Sequence, residues 1–485
     1  METAKHRRIF RDIVRGYTST IIDDREVFIK HLTPHDQVEL EEIEERYHQV
    51  ALKRGVPTEE EMLAYLKEEG EWTEEDDKFI EDKKFFIERF NILGNNITQE
   101  SVMRNQFELD EGDPYNEILI GKTINNIKNL NFFKSVNSEV KTGSSDELKI
   151  IDITVEEKPT GEITASAGVG TSGSSIGAGI RENNFLGRGI NLISNLTLSE
   201  DSIKGIFSVV NPNFRNSEKS IYTTIEALEN DKLSDFGYKT NRTGLAFGTN
   251  FEYFDDVRFG LGTSNYFEKI ETDSTASTRM KKQEGNYFDS FLKIDLDYDK
   301  RNQRFQTSDG FQSKFTQKIP LISESDTLLN GYQFDTYHSY NDITASLGLY
   351  LRAVTGLSDD VRISERVNLP RKRLRGFESG KIGPVDDNDY IGGNYAASLN
   401  FQTNLPFLFP SFQSMDFNYF VDAGNVFGVD YSNSVGDSSQ IRSSTGVGLE
   451  WFSPIGPFTF TLAQPLSKID TDHTQSFQFN IGTTF

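Results

Sequence analysis

The chain has 485 residues, of which 36% are hydrophobic, and its mean hydropathy is -0.52. Its 75 acidic and 51 basic residues give a net charge of -24, which argues against nucleic acid as a partner, because nucleic-acid-binding proteins present a basic face. No run of about 18 or more apolar residues is present, so a helical membrane protein is excluded, whereas a β-barrel, whose apolar residues alternate with polar ones, is not. The lack of cysteine excludes disulfides and thiol-ligated metal sites.

Residues 1–83 are predicted to form a helical, acid-rich segment. Thr33 and Pro34 provide an N-cap and a first helical residue, and Thr58 with Glu61 forms a capping box before a second short helix. The first residues are basic but lack the apolar core of about 7 to 15 residues that a signal peptide contains. The role of this segment, and how the chain is exported without a signal peptide, do not follow from the sequence.

Residues 84–160 are predicted to form one small α+β domain. A strand ends at the turn that contains Gly94, and Thr98 is predicted to cap a helix that reaches Phe107. The stretch NEILIGKTINNIKNL has the apolar spacing of a second, amphipathic helix. Two strands, NFFKSVNSEV and LKIIDITVEE, complete the domain.

Residues 161–485 are predicted to form a transmembrane antiparallel β-barrel of about 16 strands, which makes the chain mainly β. Stretches that alternate between apolar and polar residues are separated by turns rich in Gly, Asn, Asp and Ser. In MDFNYFVD, for example, Met415 and Tyr419 share one face, whereas Asn418 and Asp422 share the other. Closing such strands into a barrel satisfies every backbone hydrogen-bonding group in lipid.

Several short motifs occur in a defined order from residue 92 to the end of the chain. The first three are ILGNNITQESVMRNQFELDEGDPYN, LNFFKSV and VEEKPTG, and the others are NNFLGRG, NPNF, LRGF, WFSPIGPFTFTLAQPL and FQFNIGTTF. The series resembles the family of bacterial outer-membrane assembly factors that includes BamA, in which a polypeptide-transport-associated (POTRA) repeat precedes a transmembrane β-barrel. The resemblance spans roughly residues 84–485. Relatives of this bacterial type usually carry several POTRA repeats, whereas this sequence shows one, and whether upstream repeats are missing does not follow from the sequence.

The resemblance implies a function, a set of partners and a location. It implies a protein that folds and inserts other β-barrel proteins into the outer membrane through a lateral gate between its first and last strands. The implied partners are unfolded outer-membrane proteins, accessory assembly lipoproteins and outer-membrane lipids, with no cofactor. The barrel is expected in the bacterial outer membrane with the POTRA-like domain in the periplasm, and the mitochondrial outer membrane is the alternative.

A loop that folds back into the barrel lumen is implied for the LRGF motif, which comprises Leu374, Arg375, Gly376 and Phe377. An arginine in the lumen requires a carboxylate partner, because an unpaired charge away from bulk water is costly. Asp422 faces the lumen by alternation and matches the acidic residue that meets this arginine in relatives, so an Arg375–Asp422 pair is expected. A second carboxylate that is often found in the family is replaced here by Asn400, which weakens the expectation of a two-carboxylate network.

The first and last barrel strands are the expected lateral gate. The first strand, roughly residues 162–170, is rich in alanine, serine and glycine, and small side chains weaken strand packing. A weakly paired seam can open and lend its edge to an incoming strand by β-augmentation. The expected gate residues are Glu162, Ala165, Gly168, Gly170, Phe477, Phe479, Ile481 and Phe485.

Neither catalysis nor a metal site is expected, because no nucleophile, base and orienting group occur together. The glycines of GVGTSG, residues 168–173, match a dinucleotide-binding pattern but open no helix. Asp295, Asp297 and Asp299 lack the glycine and the distal glutamate of a calcium-binding EF-hand. Two other functions stay open, a two-partner-type protein secretion transporter and a passive porin-like barrel.

Overall fold

The computed structural model describes residues 17–22, 25–30, 67 and 85–485, apart from residues 218, 305, 325, 409–413, 431–434, 454–455 and 483–485. The chain forms two compact units. The first comprises Met1–Arg89, Glu111–Ile118 and Thr142–Ile150, and the second comprises Phe90–Asp110, Leu119–Lys141 and Ile151–Phe485.

The N-terminal segment contains an antiparallel pair of strands where the sequence predicts helix. Strand β1 (Tyr17–Ile22) pairs with strand β2 (Arg25–Lys30). The sequence of β1, YTSTII, is rich in β-branched residues, which favour extended backbone. Lys67 is helical, and the rest of the two helices predicted to begin at residues 33 and 58 lies outside the described residues.

The α+β region has the predicted order of strand, helix, helix, strand and strand. Its elements are β3 (Phe86–Leu93), α1 (Glu100–Arg104), α2 (Glu117–Asn129), β4 (Phe133–Thr142) and β5 (Leu148–Glu157), and the strands form a sheet in the order β3-β5-β4. Buried side chains recur at helical spacing on α2, at Ile120, Ile124 and Ile127, and at alternate positions on β5, at Ile151 and Ile153. The sequence shows the same two periodicities, the spacing of an amphipathic helix and the alternation of a half-buried strand.

The predicted cap of α1 is wrong. Gln99 occupies the N-cap position and makes no side-chain cap hydrogen bond, and the helix ends at Arg104 rather than near Phe107. Thr98 is engaged elsewhere, because its N–H donates to a Glu157 carboxylate oxygen at 2.6 Å and its hydroxyl accepts from Asn184 at 2.8 Å. The hydroxyl that should cap the helix is therefore used in a tertiary contact.

Sixteen antiparallel strands close into a barrel, which confirms the predicted fold class. Each strand is hydrogen-bonded to a neighbour on both sides, which satisfies the backbone groups of the paired residues in lipid. The strands are β6 (Gly161–Gly170), β7 (Gly173–Phe185), β8 (Ile190–Ser199), β9 (Ser202–Asn211), β10 (Ser220–Lys232), β11 (Tyr238–Phe254), β12 (Val257–Thr272), β13 (Gly285–Asp299), β14 (Gly310–Ser323), β15 (Thr327–Tyr340), β16 (Ile343–Gly356), β19 (Tyr395–Asn404), β20 (Met415–Phe427), β21 (Arg442–Ser453), β22 (Gly456–Ser467) and β23 (Phe477–Gly482). Two short helices, α3 (Leu233–Phe236) and α4 (Thr278–Lys281), lie in connections between strands.

The barrel wall is polar inside and apolar outside. On β19, Ser398 and Asn400 are buried, whereas Leu399 and Phe401 between and beside them are exposed. A soluble protein has the opposite distribution of polar and apolar side chains, whereas a barrel wall in lipid requires the apolar ones outside. Among the described residues, no helix is both long and apolar enough to cross a membrane.

Residues 357–394, which we call the lumen loop, connect β16 to β19. The loop contains a two-residue strand pair, β17 (Val385–Asp386) with β18 (Asp389–Tyr390). Its apolar side chains form a buried cluster with residues of the wall: Val354, Val361, Val367, Leu369, Leu374, Phe377, Ile382, Ala396 and Val426. The loop therefore carries its own small core inside the barrel.

Candidate functional site

Arg375 of the lumen loop and Asp422 of β20 form a bidentate ion pair. The Arg375 Nε and Nη2 atoms donate to the two oxygens of Asp422, each at 2.8 Å, and the backbone N–H of Arg375 donates to the same carboxylate at 3.0 Å. The Asp422 side chain is completely buried, and that of Arg375 is 14% exposed. Two parallel charged hydrogen bonds fix the guanidinium in one plane, which makes the contact directional as well as attractive.

The rest of the guanidinium is also satisfied. Its Nη1 atom donates to the side-chain oxygen of Gln402 at 2.7 Å, and its Cζ atom lies 3.6 Å from the centre of the Phe420 ring. Both partners lie on β19 and β20, the strands that carry Asn400 and Asp422. A cation held against an aromatic face and two acceptors retains little of its freedom to move.

Asn400 hydrogen-bonds to the Asp422 carboxylate and does not serve as a second carboxylate partner for Arg375. Its Nδ2 atom donates to Asp422 Oδ1 at 2.9 Å and to the backbone carbonyl of Arg373 at 2.9 Å. A carboxylate at this position would lie beside Asp422, and two like charges at hydrogen-bonding distance oppose each other. The amide at position 400 therefore gives Asp422 an additional donor without adding a second negative charge.

Glycine is required at position 376 by both conformation and space. Its φ is +89°, and a Cβ atom there would lie 3.0 Å from the Cβ of Ala463 on β22. Leu374 and Phe377 on either side of the Arg-Gly pair are buried in the loop cluster. In the motif, the buried side chains of Leu374 and Phe377 thus flank the ion pair of Arg375 and the close backbone approach at Gly376.

Further ion pairs, which the sequence reasoning missed, hold the lumen loop to the wall. Arg373 makes a bidentate pair with Asp335 of β15 at 2.9 and 3.1 Å, and Arg362 donates to the buried Asp289 of β13 at 2.6 Å. Ser364 donates to Glu268 of β12 at 2.6 Å. The alternation of β12, β13 and β15, which puts these carboxylates on the lumen side, was the available signal.

The lumen loop also pairs with the connection that leads into the last strand, residues 468–476. Phe377 forms an antiparallel bridge with Thr474. The Glu378 N–H donates to the His473 carbonyl at 2.9 Å, and the Gln475 N–H donates to the Gly376 carbonyl at 2.9 Å. The LRGF motif is therefore hydrogen-bonded to the chain immediately before β23.

A second buried ion pair holds the same connection. Arg442 at the start of β21 and Asp472 are both fully buried, with Nη2 and Oδ1 separated by 3.0 Å. Arg442 Nε donates to both oxygens of Asp472, and Nη1 donates to Asn425 of β20. Because Asp472 also accepts from the Ile469 N–H at 2.8 Å, the pair fixes the shape of residues 469–472.

The seam between β23 and β6 is short in the part of the chain that the structure describes. Three residue pairs join the two strands, Asn480 with Gly170, Ile481 with Val169 and Gly482 with Gly168. By contrast, β6 pairs with β7 along all of Gly161–Gly170. A Cβ atom on Gly482, whose φ is +119°, would lie 2.2 Å from the Ala167 carbonyl oxygen, so glycine permits this close approach.

The expected gate residues fall into three sets. Gly168, Gly170 and Ile481 belong to the β6–β23 pairs. The other described gate residues pair with the neighbouring strands on either side: Glu162 with Arg181, Ala165 with Ala178, Phe477 with Leu462 and Phe479 with Phe460. The Phe479 carbonyl also accepts from the Thr171 N–H at 3.0 Å, and Phe485 lies outside the described residues.

The aspartate row on β13 is occupied by protein partners. Asp295 accepts from Thr316 at 2.9 Å, Asp297 accepts from Gln312 at 2.9 Å, and Asp299 forms a bidentate pair with Arg301 at 2.8 Å. Within the described ranges, no group of three or more His, Cys, Asp or Glu residues is arranged to hold a metal ion. Residues 168–173 form the ends of β6 and β7 and the turn between them.

Two family models match the chain. Residues 184–485, more than half of the chain, match the Omp85 superfamily domain, and residues 85–158 match the POTRA model, described as a surface antigen variable number repeat. The outer membrane protein assembly factor BamA of Neorickettsia risticii (strain Illinois) is 28% identical over 418 residues, which cover 84% of this chain and 56% of that protein. The chain spans about half the length of the curated BamA relatives that it matches.

Solved structures show the same fold. The crystal structure of BamA from Haemophilus ducreyi lacking POTRA domains 1-3 has a TM-score of 0.76 at 24% sequence identity, covering 83% of this chain and 85% of that chain. CdiB from Acinetobacter baumannii has a TM-score of 0.52 at 12% identity, covering 82% of this chain and 74% of that chain. The similarity of the fold is thus greater to the first of these two structures than to the second.

Proposed function

Because the chain belongs to the Omp85 superfamily, we propose that it folds and inserts other β-barrel proteins into the outer membrane of a bacterium. Its route for a client strand is a lateral gate between β6 and β23. Its partners are unfolded outer-membrane proteins, accessory assembly lipoproteins and outer-membrane lipids, and its POTRA-like residues, about 84–160, lie in the periplasm. The barrel domain extends over residues 161–485.

The observation that carries this proposal is the inequality of pairing around the barrel. Each strand edge that is not paired in lipid costs free energy, because backbone N–H and C=O groups find no water there. Among the described residues, which end at Gly482, three pairs join β23 to β6. By contrast, the β11–β12 ladder runs from Phe254 and Val257 at one end to Tyr238 and Thr272 at the other. Within the described residues, opening this seam breaks fewer hydrogen bonds than opening the β11–β12 ladder, and the edge of β6 that it exposes offers a template for a client strand.

The lumen loop has a defined part in this proposal. Its LRGF motif is tied to β20 through Arg375 and Asp422 and to residues 473–475 through backbone hydrogen bonds. The seam strand β23 begins two residues after that pairing, at Phe477. We therefore assign to the loop the role of setting the position of β23 while the seam is closed.

A disulfide across the seam tests the gate. Val169→Cys and Ile481→Cys place the two thiols on directly opposite residues of β6 and β23, and the chain contains no other cysteine. Directly opposite residues have Cβ atoms about 4.5–5.5 Å apart, near the spacing that a disulfide spans. We expect the oxidised variant to lose the acceleration of folding and insertion of an unfolded barrel protein into liposomes, and reduction to restore it.

The matched control joins strands that are already fully paired. Ala165→Cys with Ala178→Cys cross-links β6 to β7 through another directly opposite pair. Insertion should proceed with this cross-link in place. If the seam cross-link leaves insertion intact, or if both cross-links abolish it equally, the gate is not between β6 and β23.

Two other functions give different results in the same vesicles. A secretion transporter would move a soluble client across the membrane without accelerating barrel insertion. A passive porin would show steady conductance. The lumen loop argues against an open pore, because its ion pairs reach Asp289, Asp335 and Asp422 on three separate strands.

A further inference from the structure

We propose that the barrel lumen contains a binding site for a small oxyanion, a phosphate or carboxylate group, between the lumen loop and the wall formed by β11 to β16. A cavity of about 290 Å³ lies there. Four cationic side chains line it: Arg242, Lys318, Arg352 and Arg366. Among the described lining residues one, Glu365, is acidic.

Two of the four cations are already neutralised by carboxylates. Arg242 of β11 donates to Glu268 of β12 at 2.7 Å, and Arg366 of the lumen loop donates to Asp430 at 2.8 Å. The carboxylate of Glu365 lies 3.8 Å from the guanidinium of Arg362, which is outside the lining. These pairs account for the charges of Arg242 and Arg366, whereas Glu365 shares the guanidinium of Arg362 with Asp289.

Lys318 and Arg352 have no such partner among the described residues. No described carboxylate oxygen lies within 4.0 Å of their charged nitrogens, and the hydrogen bond of Arg352 to protein is from Nε to the Tyr350 hydroxyl at 3.2 Å. Arg352 lies directly opposite Gly331 of β15, where a Cβ atom would come 2.4 Å from Arg352 Nη1. Glycine at this position makes room for the guanidinium, and its Nη atoms are left to bind a ligand.

The surroundings distinguish these cations from ordinary lumen charges in water. Tyr266, Phe291, Leu329 and Val354 place ring and aliphatic carbon beside these two positive charges on the same cavity wall. The chain as a whole carries a net charge of -24, and this cavity reverses that sign locally. Like charges enclosed together repel each other more strongly than in water, and an anion between them removes the repulsion.

The ligand class follows from the donors. A planar guanidinium with free Nη atoms matches the two oxygens of a carboxylate or phosphate, and an ammonium group adds a point charge. Since a water occupies about 30 Å³ of liquid, the volume accommodates one such group with several waters. A bound oxyanion would join Arg352 of β16 to the cationic Arg366 of the lumen loop and so hold the loop on the wall.

Titration of the whole protein in detergent micelles with inorganic phosphate tests the site. We expect saturable binding to one site by calorimetry, weakened about tenfold or more by either Lys318→Gln or Arg352→Gln, since each removes one charged contact. The control is Lys293→Gln, because Lys293 lies directly opposite Lys318 on β13 but is paired with Asp295 at 2.8 Å. That variant should bind phosphate like the unsubstituted protein.

Competition then identifies the source of the oxyanion. A short peptide with a free C-terminal carboxylate that displaces phosphate, when its amidated form does not, assigns the site to a carboxylate; failure of both assigns it to phosphate. Lack of saturable phosphate binding by the unsubstituted protein overturns the site, as does equal weakening by all three substitutions. Each of these results is independent of whether the protein inserts barrel clients, so this inference and the proposed function fail separately.

Discussion

We expect Arg375→Ala to loosen the lumen loop from the barrel wall. The substitution removes two hydrogen bonds of 2.8 Å to Asp422 and one of 2.7 Å to Gln402, and it leaves a carboxylate that is 0% exposed without its cation. Breaking a buried ion pair by removing one partner costs about 3–5 kcal/mol. The lower end applies here, because the backbone N–H of residue 375 and the amide of Asn400 still donate to Asp422.

The expected loss is therefore about 3 kcal/mol in the free energy of unfolding. Thermal unfolding of the protein in micelles, followed by the mobility of folded and unfolded forms on electrophoresis, measures it. Arg375→Ala combined with Asp422→Asn should recover part of the loss, because the neutral amide no longer leaves a buried charge. Arg375→Lys keeps the charge but cannot make two parallel hydrogen bonds, so we expect an intermediate stability.

The matched control is Arg301→Ala. Arg301 makes a bidentate pair with Asp299 of the same length, 2.8 Å for each bond, but these side chains are 15% and 20% exposed and the pair is not part of the lumen loop. The two arginines are about equally exposed, but Asp299 is 20% exposed and Asp422 is 0% exposed, so we expect a smaller loss of stability for Arg301→Ala than for Arg375→Ala. Equal losses for Arg301→Ala and Arg375→Ala would refute the reasoning from burial. A stable Arg375→Ala variant that inserts clients at the normal rate would refute the role given to the loop.

Three other expectations concern the seam and the α+β region. Arg442→Ala should speed amide hydrogen exchange at residues 468–476, because Asp472 loses its buried partner, and unchanged exchange there would show that the connection is held by other contacts. Gly482→Ala should slow formation of the Val169→Cys/Ile481→Cys disulfide, because the added Cβ meets the Ala167 carbonyl; an equal rate would mean that the seam tolerates a wider spacing. Burial raises the pKa of Glu157, but hydrogen bonds from Thr98 and from the N–H groups of residues 96–98 outweigh it and hold the pKa below its ordinary value of 4.5. This carboxylate therefore contributes stability above pH 4.5 that is lost as the pH falls through the lowered pKa. Glu157→Gln should therefore lower the free energy of unfolding at pH 7, and in acid the variant and the unsubstituted protein should have the same free energy of unfolding. A constant difference between them across the pH range would contradict this.

The α+β region illustrates where local reasoning fails. The strands and helices of residues 86–157 could be predicted from the sequence, because alternate and 3.6-residue spacing follow from backbone geometry. The cap at Thr98 could not, because its N–H and hydroxyl are used by Glu157 and Asn184, which are 59 and 86 residues away. The hydrogen bonds to these two distant residues therefore override the local capping signal. The domain boundaries near residues 84 and 161 stay predictions.

The gate shows the same division. Small residues in β6 indicated weak packing, but the number of residue pairs between β6 and β23 depends on the register at which the sixteenth strand closes the barrel. Register is set jointly by every preceding strand pair and connection. Alternation along a single strand carries no information about it.

The sequence by itself predicted the closed barrel and the α+β region before it, because alternation and helical spacing are properties of neighbouring residues. The pair of Arg375 with Asp422 was expected from the resemblance of the LRGF motif to its family together with alternation on β20. Only the tertiary structure decided that Arg442 meets Asp472, that the LRGF motif pairs with residues 473–475, and that Lys318 and Arg352 share a cavity. The physical reason is that these contacts join strands and loops that meet only when the barrel closes. A single side chain records which face it lies on, whereas its partner across the lumen is set by the closure of all sixteen strands.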